Sequence, residues 1–269
     1  MTRDAIIRCR NLCKRFGDLV VLDDVNLDFG RGRTTAIIGP SGTGKSVLLK
    51  HLVGLLRPDS GEVWIGDTDM ALANDAQIHA ARKRFGMLFQ DGALFDSMTA
   101  GENVAYPLRF HTKLNTDERR QRALEVLDLV ELADAYDRPT SALSGGQRKR
   151  VGLARAIVLE PEIVLFDEPN SGLDPLTSDT IDALIGRMKQ QLGITFIVIT
   201  HDIVSAVNIA DDIGMLYGGR LVAFGDTASV VHSREPMVRA FLKRNLVLPD
   251  EGTPGIRLPG LDDLVGDER

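Results

Sequence analysis

The sequence predicts an α/β protein: a largely parallel sheet with helices on its faces, wound around a glycine-rich loop. Three observations carry this. Gly39-Pro40-Ser41-Gly42-Thr43-Gly44-Lys45-Ser46 lies between the apolar run Thr34 to Ile38 and the helix-like run Val47 to Val53, the strand, loop, helix order that a P-loop requires. Ile163-Val164-Leu165-Phe166 and Ile194 to Thr200 are apolar without polar alternation, as strands covered on both faces are. Between them Asp174-Pro175 supplies an N-cap and first helical residue for a helix reaching about Leu192, which Gly193 ends.

The remaining elements follow in chain order. Ile6 to Leu12 and Leu19 to Phe29 carry the apolar alternation of half-buried strands, joined by a turn at Gly17-Asp18. Arg57-Pro58-Asp59-Ser60-Gly61 reads as a turn, Glu62 to Gly66 as a strand, and Phe85 to Phe89 as another apolar run, ending at Gln90. From there to about residue 160 the character is helical. Asn115-Thr116-Asp117-Glu118 resembles a helix cap with early acids, ahead of a helix over Arg119 to Leu132. A helical insert over about 91–160 is therefore expected between strands of one sheet. Ile213 to Tyr217 and Leu221 to Phe224, joined at Gly218-Gly219, read as a hairpin. One unit is expected over 1–247. A tail over 248–269, rich in Pro, Gly and Asp, is expected to be partly disordered or docked on a partner.

Composition narrows the functional classes. At 269 residues and 43% hydrophobic content the chain can bury a large core. A formal charge of −6 gives no footprint for nucleic acid, although Arg82-Lys83-Arg84 and Arg148-Lys149-Arg150 are local clusters able to meet phosphates. Cys9 and Cys13, with no second ligand pair, read as small core or strand residues in a reducing compartment. No apolar run approaches the ~18 residues of a membrane span, and Met1-Thr2-Arg3-Asp4 leads into no signal-peptide core, so a membrane role calls for a partner.

The P-loop glycines turn backbone N–H groups inward, and with the helix N-terminus they form a cradle for polyphosphate. Lys45 is placed to reach the β- and γ-phosphates of a nucleotide, and the Ser46 hydroxyl to ligate magnesium. Ligands of open α/β sheets bind at the C-terminal ends of the strands, so Asp167, Glu168 and His201 are expected to converge on this loop. Phosphoryl transfer to water then finds its parts: Asp167 to hold magnesium through water, Glu168 to polarise the attacking water, His201 to contact the γ-phosphate, and the Gln90 amide for metal or water. Phe16, an aromatic at a strand end, reads equally as core or as a stacking platform for a base. Leu143-Ser144-Gly145-Gly146-Gln147-Arg148 forms a second anion-binding helix start, with Ser144 as cap and two glycines exposing the first N–H groups.

Together, GPSGTGKS at Gly39 to Ser46, Gln90, LSGGQ at Leu143 to Gln147, IVLFDE at Ile163 to Glu168, SGLD at Ser171 to Asp174 and His201 resemble the ATPase subunit of ABC transporters, over residues 6 to about 232. The resemblance implies a P-loop cassette with a mixed core sheet, an antiparallel β-subdomain and a helical subdomain. It also implies magnesium-dependent ATP hydrolysis, Asp174 as a nucleotide-binding residue, and head-to-tail pairing of two copies, with the LSGGQ of one chain, Ser144, Gly145, Gly146 and Gln147 among it, completing the site of the other; a two-fold pair uses both anion sites of each chain. By the same resemblance Phe16 stacks on adenine. Val47 departs from the pattern, which usually has Thr there; its backbone N–H remains, so binding is expected with one hydroxyl contact fewer.

Within the family, Phe89 to Thr99 and Glu102 to Leu108 are similar to the ATPases of Mce-type lipid transporters. That likeness implies phospholipid as cargo, an integral membrane permease, an Mce-domain protein, a STAS-type regulatory subunit and a place on the cytoplasmic face of the bacterial inner membrane. A small-solute importer, or a soluble ABC protein acting on DNA or ribosomes, stand as the alternatives.

Overall fold

The structure, a computed structural model, describes residues 4–245. The expected tail over 248–269 lies outside the described residues. Twelve-residue strands β1 (Ala5–Phe16) and β2 (Leu19–Gly30) form the first hairpin, which Gly17 turns at φ 59°. The buried strand β3 (Thr34–Ile38) leads through the glycine loop into α1 (Lys45–Leu52). Next come β4 (Ser60–Ile65), β5 (Thr68–Asp69), α2 (Asp75–Arg82) and β6 (Phe85–Leu88). The helical region holds α3 (Ala100–Ala105), α4 (Leu108–His111), α5 (Thr116–Leu129) and α6 (Gly145–Ile157). The chain returns to the sheet with β7 (Ile163–Asp167), α7 (Pro175–Leu192), β8 (Thr195–Ile199), α8 (Ile203–Ile209), β9 (Asp212–Tyr217) and β10 (Arg220–Asp226), and the last described elements are α9 (Thr227–Val231) and α10 (Pro236–Asn245).

Two sheets result. An antiparallel one runs β2-β1-β4-β5, and a mixed one runs β10-β9-β3-β8-β7-β6, parallel except for the hairpin strand β10. Every residue of β3 and of β8 is buried, as their unbroken apolar runs require. The register brings Ile37 beside Ile199 and Asp167 beside Ile199, so β3, β7 and β8 end together.

One hydrophobic cluster lies between the two sheets around α1, with Phe29, Ile37, Leu48 and Leu165 fully buried. A second joins the helical region to the other face of the mixed sheet through α5, α6 and α7. Phe166 and Phe196, from neighbouring strands, meet there at a ring separation of 5.4 Å. Burying either ring contributes about 1.5–3 kcal/mol.

Helix starts are written locally. Asn74–Gln77, Thr99–Glu102, Asn115–Glu118 and Ser144–Gln147 each form a reciprocal capping box, and Asp174 caps α7 by accepting from the Thr177 N–H. Gly193 closes α7 at φ 63°. The expected helix to Leu132 stops three residues sooner. Glu131 turns left-handed at φ 59°, and the Leu132 N–H reaches back to the Leu127 carbonyl in a Schellman-type closure. Gly218 and Gly219, at φ 56° and 80°, make the tight turn of the β9–β10 hairpin.

Candidate nucleotide site

At the end of β3, Gly39 adopts φ 148°, and a Cβ there would stand 2.1 Å from the Leu216 carbonyl oxygen. Gly44, at φ 99°, is the N-cap of α1; a Cβ would stand 2.7 Å from the Val21 carbonyl oxygen. Only glycine lets the loop lie this close to β9 and β2. Gly42, at φ 78°, faces open space. Thr43 Oγ1 donates to the Pro40 carbonyl, and Lys45 Nζ donates to the carbonyls of Gly39 and Pro40 at 2.8 and 2.9 Å. Burial holds the Lys45 ammonium below its ordinary pKa, while the Glu168 and Asp167 carboxylates oppose that shift. Ser41, Gly42 and Ser46 are exposed, and Val47 packs its side chain inward against the core between the sheets. The usual hydroxyl at that position is thus replaced by packing.

Phe16 is not core. It is 48% exposed at the end of β1, paired with exposed Leu19, and Lys14 Nζ sits 5.5 Å from its ring centre. Since Val21 abuts Gly44, this hairpin end borders the glycine loop.

The carboxylates lie where β7 stops. Asp167 is half-buried, and burial followed by the neighbouring Glu168 charge raises its pKa, against Lys45 and Lys50. Glu168 turns left-handed at φ 53°. Its N–H donates to the Ile199 carbonyl at 2.8 Å, and its Oε2 stands 2.8 Å from His201 Nδ1 and accepts the His201 N–H at 3.3 Å. Asp167, Glu168 and His201 do converge, as the strand register requires. Gln90 is exposed, and its amide donates to Ser171 Oγ at 3.2 Å.

The second helix start is equally defined. Ser144 Oγ accepts the Gln147 N–H, and Gln147 Oε1 accepts the Ser144 N–H, while the N–H groups of Gly145 and Gly146 have no acceptor within the helix. A Cβ on Gly146 would meet Thr177 Cγ2 at 2.4 Å, so α6 and α7 touch at their starts. Asp174 takes both the N–H and the hydroxyl of Thr177.

Apart from exposed Lys83, the residues of the two basic clusters bond groups of the chain itself. Arg84 pairs with Glu162, Arg148 donates to the Leu143 carbonyl, and buried Lys149 donates to the carbonyls of Glu168 and Ser171 at 3.3 and 2.8 Å. Sequence reasoning also missed a buried network in which the Asn170 amide and Ser205 hydroxyl both donate to Asp182 Oδ1. A polar residue at an apolar helix position is the only signal for Asp182.

Among the described residues no group of three or more His, Cys, Asp or Glu side chains is placed to hold a metal. The oxygen donors at hand, Ser46 hydroxyl, Gln90 amide and Asp167 carboxylate, suit a magnesium ion that takes its other ligands from phosphate and water.

Comparison with known proteins agrees with this geometry. The ABC transporter family model matches residues 22–171, more than half of the chain. A probable ribonucleotide transport ATP-binding protein, mkl, of Mycobacterium leprae is 43% identical over 249 residues, 93% of this chain and 72% of its own. The intermembrane phospholipid transport system ATP-binding protein MlaF of Escherichia coli K12 is 38% identical over 237 residues, 88% of either chain. Among solved structures, cbiO1 of Clostridium perfringens, part of the ABC transporter complex cbiONQ, superposes with a TM-score of 0.80 at 32% identity, covering 90% of this chain and 96% of that one. A dimeric ATP-binding cassette in a post-hydrolysis state with ADP and Pi gives 0.73 at 34% identity, covering 82% of this chain and 98% of that one. The chain belongs to the ABC transporter family, as an ATP-binding subunit that hydrolyses ATP.

Proposed function

We propose that this chain powers phospholipid transport between the inner and outer membranes of a bacterium through a separate permease. The observation that carries the cargo is its match to MlaF proteins along 88–90% of their length, where the mkl relatives extend well beyond it. A surface of fitting chemistry supports the permease. Phe95 (42% exposed), Tyr106 and Phe110 (68% exposed) meet in tilted contacts at ring separations of 4.6 and 5.1 Å, just after Gln90. Buried Asn103 holds this segment by bonding Phe95 N–H, Phe95 C=O and Thr99 C=O. A contiguous exposed aromatic patch suits a helix from a membrane subunit. No helix among the described residues is long and apolar enough to cross a membrane, and the site proposed for the chain is the cytoplasmic face of the inner membrane.

In the nucleotide site, Gly39 to Val47 cradle the phosphates, Lys45 turns from its carbonyl partners to the β- and γ-phosphates, and Phe16 stacks on adenine. Ser46, Gln90 and Asp167 would hold a magnesium ion, which would supply charge neutralisation at the phosphates. Glu168 takes a proton from the attacking water, oriented by its bond to His201, which faces the γ-phosphate. Two copies pair head to tail, each supplying Ser144, Gly145, Gly146, Gln147 and Asp174 to the other's nucleotide. An Mce-domain protein and a STAS-type subunit complete the assembly.

Affinity purification of the full chain in mild detergent tests the cargo. Recovery of a permease, an Mce-domain protein and bound phospholipid is expected. A permease with a solute-binding protein and no lipid would assign a small-solute importer, and copurifying ribosomes or DNA would remove transport altogether.

A further inference from the structure

We propose that Lys149 is a positioning residue that ties the LSGGQ helix to the chain's own Glu168, so that seating of that helix on the partner's nucleotide is felt at its own hydrolytic carboxylate. The inference rests on Glu168 being the carboxylate that activates water. Glu168 sits in a left-handed conformation at φ 53°, which a residue with a Cβ holds only when its surroundings fix it.

Four bonds surround it. The Ile199 carbonyl accepts the Glu168 N–H, one Glu168 carboxylate oxygen bonds His201 Nδ1, and the Glu168 carbonyl accepts from both Lys149 Nζ and the Ser171 N–H. Lys149 spans further, to the Ser171 carbonyl at 2.8 Å, while Ser171 Oγ receives the Gln90 amide. Lys149 is 5% exposed, and its ammonium donates to two carbonyls of the loop between β7 and α7. A buried ammonium on neutral acceptors is costly to maintain, so its placement is informative.

Lys149 lies five residues past Ser144, about 7.5 Å along the axis of α6. That helix start is packed without slack on Thr177 through Gly146. A rigid rod therefore joins the first turn of α6 to the backbone of Glu168. Displacement of about 1 Å at a catalytic group costs up to 10²-fold in rate, so small movements of α6 suffice.

The test uses Lys149→Met, which keeps the length and loses the donors, and Lys149→Arg, which restores them, beside Glu168→Gln. Steady-state ATP hydrolysis is read on each single variant, and ATP affinity is read in the Glu168→Gln background with and without Lys149→Met. The expected result is a kcat at least tenfold lower for Lys149→Met, KM and ATP affinity within twofold, and at least partial recovery in Lys149→Arg. Wild-type kcat in Lys149→Met, beside an inactive Glu168→Gln, overturns this inference alone. Full turnover in Glu168→Gln overturns the role of Glu168 and the inference with it. A loss of kcat accompanied by a matching loss of ATP affinity or melting temperature, unrelieved by Arg, assigns Lys149 to general stability and also overturns it.

Discussion

Replacing Gly39 and Gly42 separately by Ala distinguishes a loop fixed by its neighbours from one that merely contains glycines. At Gly39 the added Cβ would lie 2.1 Å from the Leu216 carbonyl oxygen, against an ordinary contact of at least 3.4 Å, so β3 or β9 must yield by roughly 1.3 Å. Both are interior strands of the mixed sheet, joined in parallel register. Overpacking costs about 1–3 kcal/mol, and φ 148° in a residue with a Cβ costs about 1–3 kcal/mol more. Gly39→Ala should therefore lose about 2–6 kcal/mol, a large part of the 5–15 kcal/mol typical of a domain. Gly42→Ala, in open space at φ 78°, carries only backbone strain of about 1–2 kcal/mol. Urea unfolding of both variants, with and without ATP, reads the difference. Nucleotide should raise the midpoint of Gly42→Ala nearly as in the parent chain and that of Gly39→Ala little, because the displaced loop no longer aims its N–H groups at phosphate. Equal losses in the two variants would refute the view that the close approach to β9 sets the shape of the cradle.

Three further outcomes are expected. Glu168→Gln should retain ATP yet lose nearly all turnover, while Lys45→Ala should weaken ATP binding; filter binding and phosphate release separate the two. Phe95→Ser with Phe110→Ser should leave ATP hydrolysis by the isolated chain within twofold and cut copurification of the permease severalfold, read by pull-down. Glu162, held below its ordinary pKa first by its paired bonds to Arg84 and then by Arg31, should stabilise the fold above about pH 4.5, with that contribution disappearing as pH falls through its depressed value. Its side chain is 44% exposed, so solvent screening limits the effect to about 1 kcal/mol or less. Glu162→Gln should flatten the acid limb of the melting curve by that amount.

The legible features were those that local chemistry dictates. The unbroken apolar runs Ile163 to Phe166 and Thr195 to Ile199 can only be covered strands, and Ser144, Asn115 and Asp174 cap helices through atoms within three residues. Gly39, Gly42 and Gly44 announce a loop with left-handed backbone. Asn74 with Gln77 carried the same capping signal for α2 and passed unread, and the end of α5 turned on a left-handed Glu131 that nothing in its residue type declares.

Sequence by itself thus determined the glycine loop and most of the strands, and singled out Lys45, Asp167, Glu168 and His201 as candidates, because each rests on interactions local in the chain or on residue chemistry. Only the tertiary structure decided that Phe16 is exposed, that Arg84 and Lys149 serve internal partners instead of phosphate, and that Asp182 is buried beside Asn170 and Ser205. Those outcomes depend on segments 12 to 78 residues apart meeting in space, and the free energy of a buried ammonium or carboxylate is set by what surrounds it, which no neighbouring residue in the chain encodes.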